Sequence, residues 1–145
     1  RQTAEIIGEK LGLSPISVEA FRERDVGVFE GLTQDEARSR YPQLWRQHIT
    51  RQWHGAPTGG ETIAAVVERV IAGLRPLALQ YPDREVLLVA HGFVAKVIRA
   101  VCGSGFDDFF EWQLGNGVTV EVMVAADQVF QRLDQKEEQA QALPS

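Results

Sequence analysis

Apolar residues recur at the spacing of one helix face in three separate stretches of the chain, which predicts three amphipathic helices. The stripes consist of Ala4, Ile7 and Leu11; of Ile63, Val66, Val67, Val70, Ile71 and Leu74; and of Phe93, Val94, Val97, Ile98 and Val101. Gly12 and Gly103 stand just past the first and third stripes, where a helix commonly ends on glycine. Pro76 is expected to kink or end the second helix, because proline lacks the N–H and its ring clashes with the preceding turn.

Threonine and glutamate at capping-box spacing mark helix starts. Thr33 with Glu36 predicts a short helix that Pro42 ends. Thr58 with Glu61 has the same spacing, which predicts that the second apolar helix begins there.

Two patterns indicate strands rather than helices. Residues 86–90 are continuously apolar, which is typical of a strand buried on both faces, and residues 118–124 alternate as in a half-buried strand. Residues 129–133 would pair with the latter, and residues 18–21 are compatible with a short strand. Strands interleaved with helices predict an α/β fold: a three-layer sandwich with a mostly parallel central sheet and helices on both faces.

Length and composition narrow the class of protein. The 145 residues suit one domain, which we place at residues 1–134, followed by a polar tail at 135–145. The net charge of −5, from 15 basic and 20 acidic residues, argues against a nucleic-acid partner. No apolar run is long enough for a membrane span, and no His/Cys/Asp cluster has metal-ligand spacing, so neither a membrane, a metal nor a cofactor is expected. The single Cys102 cannot form an internal disulfide, which favours the cytoplasm.

Two residues could carry chemistry. His91 directly follows the predicted strand 86–90 and is followed by Gly92, whose lack of a side chain would let backbone N–H groups approach an anion at a helix N-terminus. The alternative for His91 is a hydrogen-bonded histidine at a strand end. Glu23 lies between Arg22 and Arg24 in a charged, glycine-punctuated loop, where it could act as an acid or base or belong to a solvated charge cluster.

Several motifs in chain order resemble one family. The segment Gln2–Ile7 looks like the helix that follows the family's second arginine motif. Four further matches follow in order: a glutamate–arginine loop (Arg22–Gly31), a Gly-Gly-Glu helix start (Pro57–Thr62), a His-Gly strand end (Leu87–Gly92) and a late Asn segment (Leu114–Val118). Together they resemble the histidine phosphatase, or phosphoglycerate mutase-like, superfamily.

The resemblance implies a role for each candidate. Glu23 would be the proton donor to the leaving oxygen, and His91 would be the second active-site histidine, which holds the transferring phosphoryl group. Gly92 would offer its backbone N–H to the same phosphate, and Arg24 would contact substrate. Because two arginines beside Glu23 would oppose its protonation, we expect at least one of Arg22 and Arg24 to point elsewhere. The implied partner is a small phosphorylated substrate, with a homodimer left open.

The chain departs from the family pattern at the nucleophile. The family forms a phosphohistidine on an N-terminal Arg-His-Gly, and no Arg-His-Gly occurs in these residues. We therefore expect an N-terminally incomplete domain that lacks its first strand and is inactive by itself. Val26 stands where the mutases usually carry a tyrosine, and no adjacent arginine pair lies between Gly31 and Gly59, so a phosphomonoester hydrolase is favoured.

Alternatives remain open at this stage. They are a phosphoglycerate mutase-type phosphotransferase and a catalytically inactive module that binds a phosphate ligand or a protein on the same fold. An α/β-hydrolase would need a Gly-x-Ser-x-Gly elbow and a histidine after His91, and the chain has neither. The segment 43–59 could form a short helix or a flap, and its tryptophans and arginines are expected to shape substrate choice. Those residues are Trp45, Arg46, Arg51 and Trp53.

Overall fold

Helices and short turns make up the regular structure of residues 1–124, which are the residues that the computed structural model describes. The helices are α1 Gln2–Leu11, α2 Gln34–Arg40, α3 Pro42–Arg46, α4 Ile63–Gln80 and α5 Gly92–Arg99. Single 3-10 turns cover Glu19–Phe21, Gly27–Phe29 and Ile49–Arg51, and one π turn, Ala100–Ser104, extends α5.

Local signals confirm three of the predicted helix boundaries. Gly12 ends α1 in the left-handed conformation at φ 67°, which glycine adopts without strain. Thr33 and Glu36 form the predicted capping box at the start of α2, each side chain bonding to the other's backbone N–H. Pro42 follows the end of α2, as predicted, and occupies the first turn of α3, where its missing N–H costs nothing.

The predicted start of the long helix is wrong, and of the two effects expected at Pro76, the ending of the helix does not occur. Thr62, not Thr58, caps α4 and accepts a hydrogen bond from the backbone N–H of Ala65 at 3.0 Å. The α4 helix also continues past Pro76 to its end at Gln80. Pro76 and Ala72, one turn earlier, are both exposed. The carbonyl of Ala72, which the proline cannot satisfy, therefore lies on the solvent side of the helix.

The strand predicted at residues 18–21 is also wrong. The backbone closes into a turn there, with Phe21 N–H donating to Val18 at 3.1 Å. The ring of Phe21 is buried against Gly73 of α4, where a Cβ would lie 2.9 Å from the ring. The segment therefore serves to insert one aromatic side chain under α4.

The core lies between α4 and α5. All six residues of the predicted apolar stripe on α4 are at most 6% exposed, so the periodicity is confirmed. They pack with the apolar face of α5 and with aromatic rings from the segment that follows it; the buried partners are Val94, Val97, Ile98, Val101 and Phe109.

The predicted strands are not paired in the described residues. Residues 86–90 and 118–124 have no assigned secondary structure, and no strand occurs anywhere in residues 1–124. The prediction that 86–90 is buried on both faces is wrong for this structure: Leu87 is 55% exposed and only Leu88 packs against the core. A strand needs a neighbouring backbone to pair with, and none lies beside this segment here. The segments 129–133 and 135–145 lie outside the described residues.

Candidate active site

The glutamate–arginine loop is fastened backbone to backbone onto the segment before α4. The N–H of Val28 donates to Thr58 at 3.0 Å, and the N–H of Glu61 donates to Asp25 at 2.8 Å. Gly27, at φ 54°, lies so close to Thr58 that a Cβ there would overlap its carbonyl oxygen. The two motifs that are far apart in sequence therefore form one rigid unit.

Glu23 is half-buried within this unit. Its carboxylate accepts a hydrogen bond from the backbone N–H of Arg24 at 2.8 Å. The guanidinium of Arg22 turns away and donates to both carboxylate oxygens of Glu61, at 2.7 and 3.1 Å. The expectation that at least one flanking arginine points elsewhere is therefore confirmed, and Glu23 has no ion pair in the described part of the chain.

Glu61 collects hydrogen bonds from three residues. Besides the two from Arg22, its carboxylate accepts two from Arg69, at 2.9 and 3.0 Å, and one from the backbone N–H of Asp25 at 3.0 Å. Burial favours the neutral form of Glu61, but the bonds from Arg69 and Asp25, with the charges of Arg69 and Arg22, outweigh it and lower the pKa of the carboxyl. Glu61 therefore stays ionised.

Arg69 of α4 reaches the backbone around Glu23. Its guanidinium donates to the carbonyls of Ala20 at 2.7 Å, Arg22 at 2.9 Å and Glu23 at 3.2 Å. Neither Glu61 nor Arg69 was predicted to support the site. The sequence offers one signal for Arg69: it is an arginine at the edge of an otherwise apolar helix face, four residues before Gly73.

Arg24 joins the loop to α5. It is only 5% exposed, and it donates to the carbonyls of Thr50 at 2.7 Å and Glu61 at 3.0 Å. Its Cζ lies 5.1 Å from the ring centre of Phe93, in the first turn of α5. Burial lowers the pKa of this guanidinium, while the charges of Glu61 and Glu23 oppose the shift. Its buried Nη2 has no hydrogen-bond partner among the described residues.

His91 and Gly92 open α5 at an exposed position. His91 is the N-cap residue, and its side chain makes no capping bond to the helix. A Cβ on Gly92 would meet no atom within 4 Å, so the side of Gly92 is open to a ligand. Arg24 stacks on Phe93, one residue further along, which brings the Glu23 loop to this helix start. No hydrogen bond among the described residues joins Glu23 to His91 directly.

The four residues of segment 43–59 that were expected to shape substrate choice lie in two different surroundings. Trp45 contacts Phe29 on the far side of the loop, and Arg46 bonds to the carbonyl of Pro42 in its own helix. The other pair belongs to the aromatic cluster near α5: the Trp53 ring lies 4.9 Å from Phe106, and Arg51 stacks on Phe110 at 4.8 Å. Only Arg51 and Trp53 therefore lie on the α5 side, in the same cluster as Phe93.

Other chemistry has little support in residues 1–124. No group of three His, Cys, Asp or Glu side chains there converges as a metal site. No helix in that range is long and apolar enough to cross a bilayer. Burial raises the pKa of the Cys102 thiol to about 11, so this cysteine is protonated at neutral pH and unsuited to act as a nucleophile.

Similarity to known proteins settles the family. A family model described as the histidine phosphatase superfamily (branch 1) matches residues 1–135. The chain belongs to the histidine phosphatase superfamily. The solved structures it resembles have the α/β fold of that superfamily, in agreement with the predicted class. The parallel order of the sheet and the absence of a first strand stay predictions.

Its relatives within the superfamily include phosphatases and mutases. The uncharacterized phosphatase PhoE of Bacillus subtilis (strain 168) is 28% identical over 127 residues, covering 88% of this chain and 60% of that protein. A 2,3-bisphosphoglycerate-dependent phosphoglycerate mutase of Mesorhizobium japonicum is 32% identical over 124 residues, covering 79% and 57%. The structure of a mycobacterial glucosyl-3-phosphoglycerate phosphatase superposes with a TM-score of 0.66 at 27% identity, covering 79% and 60%. The chain thus spans 57–60% of the length of these proteins.

Proposed function

We propose that this histidine phosphatase chain belongs to a phosphomonoester hydrolase that acts through a phosphohistidine, with the nucleophilic histidine outside the 145 residues. The observation that carries the proposal is the buried guanidinium of Arg24. It holds an unsatisfied Nη2 and lies against Phe93, one residue after the open backbone of Gly92. A buried cation with a free donor, beside exposed N–H groups at a helix start, suits a phosphate dianion.

The roles follow from the chemistry of phosphoryl transfer. In the first step the bond from phosphorus to the ester oxygen breaks and a bond to the nucleophilic histidine forms, while Glu23 gives its proton to the leaving oxygen. In the second step the oxygen of a water bonds to phosphorus while the bond from phosphorus to the histidine nitrogen breaks, and a proton of that water passes to Glu23. Inorganic phosphate then leaves, and the histidine and the protonated Glu23 are restored. His91, the N–H of Gly92 and Arg24 would hold the phosphoryl oxygens throughout.

A hydrolase is favoured over a mutase by Val26, which stands where the mutases usually carry a tyrosine. The mutase remains the second candidate because relatives with that description are 30–32% identical to the chain. The lone cysteine, without a disulfide partner in the sequence, supports a reducing cytoplasm as the location.

The experiment uses the protein expressed from its complete reading frame. Release of inorganic phosphate from a panel of alkyl phosphates is compared with conversion of 3-phosphoglycerate to its 2-isomer. We expect phosphate release to dominate, His91→Ala to lower it at least about 100-fold, and a phosphohistidine to be trapped by alkaline quench. His54→Ala is the matched control, because His54 also precedes a glycine and is exposed, but lies in a loop and not at the start of a helix.

Two outcomes would contradict the proposal. Rapid isomerisation with little phosphate release would make the protein a mutase. Neither activity, in a folded protein that still binds inorganic phosphate, would make it a binding module. The 145-residue chain by itself is expected to release no phosphate above background, since it contains no Arg-His-Gly.

A further inference from the structure

We infer that Glu61 and Arg69 are positioning residues for the proton donor, fixing the backbone of Glu23 and keeping the Arg22 guanidinium away from its carboxylate. The inference rests on the proposed function, in which Glu23 must present a proton to the leaving oxygen. Neither residue lies next to Glu23 in sequence: Glu61 precedes α4 by two residues, and Arg69 lies within the helix.

Arg69 sets the backbone position of Glu23. Its guanidinium bonds to the carbonyl of Glu23 and to that of Arg22, immediately before it. The side chain is only 18% exposed, so these bonds are partly shielded from water. Because Arg69 also binds the Glu61 carboxylate through two nitrogens, the planar guanidinium has little freedom to rotate. The loop carbonyls are therefore held at a fixed distance from α4.

Glu61 fixes the two residues that follow Glu23. Its carbonyl accepts from Arg24 Nε at 3.0 Å, its N–H donates to Asp25, and its carboxylate accepts from the Asp25 N–H. Residues on both sides of Glu23 are thus tied to Glu61 or Arg69. A displacement of the acid by about 1 Å can cost a large factor in rate.

Glu61 also determines where the positive charge of Arg22 lies. The Arg22 guanidinium is 42% exposed, and if the bidentate Glu61 were lost it would keep only its ion pair with the exposed Glu19, at 3.2 Å. Such a solvent-exposed pair holds an arginine weakly, so the guanidinium could then turn towards Glu23. A second arginine beside Glu23, in addition to Arg24, would further favour the carboxylate over the protonated form that the proposed function requires. The charged groups around Glu23 are Arg22, Arg24 and Asp25 of its own loop, Glu19 paired with Arg22, Glu61 before α4 and Arg69 within α4.

The test measures kcat for an alkyl phosphate and for nitrophenyl phosphate in the complete enzyme. An alkoxide needs a proton to leave, whereas nitrophenolate does not, so a misplaced acid slows only the first reaction. We expect Glu61→Gln and the charge-retaining Arg69→Lys to lower kcat on the alkyl phosphate at least about 10-fold and on nitrophenyl phosphate less than about 3-fold. Glu68→Gln, on the exposed face of the same helix, should change neither.

A double-mutant cycle separates positioning from general destabilisation. If Glu61 acts through Glu23, adding Glu61→Gln to Glu23→Gln should produce no further loss on the alkyl phosphate. Losses that multiply, or equal losses on both substrates, would overturn the inference. Inhibition by inorganic phosphate should be unchanged in each variant, which shows that the site has folded. If Glu61→Gln does not fold, Arg69→Lys takes its place in the same cycle.

The outcomes for the inference and for the proposed function are distinct. If the wild-type enzyme hydrolyses phosphomonoesters and Glu23→Gln is selective for the alkyl substrate, but neither α4 variant is, the inference fails and the function stands. If the wild-type enzyme has no phosphomonoesterase activity, both fail.

Discussion

At the scale of single residues, one carboxylate determines where the positive charges near the site lie. Glu61 binds the guanidinium groups of Arg22 and Arg69, so Glu23 is left with only a backbone N–H at its carboxylate. The proposed function requires Glu23 to carry a proton, and the pairing of Arg22 with Glu61 keeps the Arg22 guanidinium from its carboxylate. The same bonds make Glu61 a contributor to stability.

Replacing Glu61 with Gln should remove a pH-dependent part of the free energy of unfolding. The pKa of Glu61 lies below its ordinary value of 4.5 in the folded chain, so its stabilisation is present above that value and is lost as the pH falls through the folded pKa. The measurement is urea unfolding at pH 7 and pH 3. Glu61→Gln should be less stable than wild type at pH 7 and closer to it at pH 3, and Glu68→Gln is the control. A difference independent of pH would contradict the assignment.

The sequence indicated which residues could carry chemistry but not which residues fix their positions. The motifs identified Glu23, Arg24, His91 and Gly92 as candidates. In the structure Arg24 lies against α5, the helix that begins at His91 and Gly92. The role of Arg69 left no periodic signal, because three of its partners are backbone carbonyls, which are the same in every residue. The fourth partner, the Glu61 carboxylate, lies outside the helix. The roles in catalysis stay predictions.

At the scale of elements, the loop and the start of α4 fit together through glycines. Gly27 has a positive φ of 54° and its Cα faces the Thr58 carbonyl, while a Cβ on Gly60 would lie 2.9 Å from the Asp25 carbonyl. Gly31, at the end of the same loop, has a φ of 69° but open space around it. Comparing substitutions at Gly27 and Gly31 therefore separates the free-energy cost of backbone strain, which both share, from the cost of a steric clash, which only Gly27 has.

Gly27→Ala should destabilise the chain more than Gly31→Ala. Both replacements carry the strain of a left-handed residue, about 1 kcal/mol, whereas only Gly27→Ala also forces the loop away from Thr58 and Gly60, before α4, which adds about 1–3 kcal/mol. Thermal unfolding of the two variants measures the difference. Equal midpoints would mean that the loop moves away from Thr58 at no cost.

Helix periodicity was the most reliable guide at this scale, and helix ends were the least. The stripe of six apolar residues placed the buried face of α4 correctly because burial follows the 3.6-residue period. The Thr58–Glu61 spacing misplaced its start, since the Glu61 carboxylate binds arginines from elsewhere in the chain instead of closing a capping box. Such distant partners cannot be read from local spacing.

At the scale of the whole molecule, two extended apolar segments stand out from the packed helices. In residues 86–90, Val86 is 49% exposed and Leu87 is 55% exposed; in residues 118–124, Val118 is 57% exposed. Both segments were predicted as strands, and in the described structure neither has a partner. Unpaired backbone next to exposed valine and leucine is a surface that favours association.

The 145-residue chain should therefore self-associate. Sedimentation velocity over a range of concentrations is expected to show dimers or larger species, and Leu87→Lys should shift the distribution towards monomer. Leu79→Lys is the control, because Leu79 is 70% exposed but belongs to α4 and not to either segment. A monomer at every concentration, with reversible unfolding, would show that these segments are covered in solution.

The α/β class could be predicted because apolar runs of strand length alternate with helical stripes, and the solved relatives have that fold. The arrangement of the sheet could not, since strand order depends on contacts between distant segments. Here the chain spans 57–60% of the length of the relatives compared above, and none of residues 1–124 pairs with 86–90 as a neighbouring strand.

If Glu23 gives the proton in phosphomonoester hydrolysis, its replacement should slow the enzyme unequally on two substrates. The decisive measurement is the loss of kcat on an alkyl phosphate divided by the loss on nitrophenyl phosphate. In the protein from the complete reading frame, Glu23→Gln keeps the shape of the side chain and removes the acid. It should lower kcat on an alkyl phosphate by about 10²–10⁴-fold and on nitrophenyl phosphate far less. Equal losses on the two substrates would contradict the account, because Glu23 would then only position the phosphate.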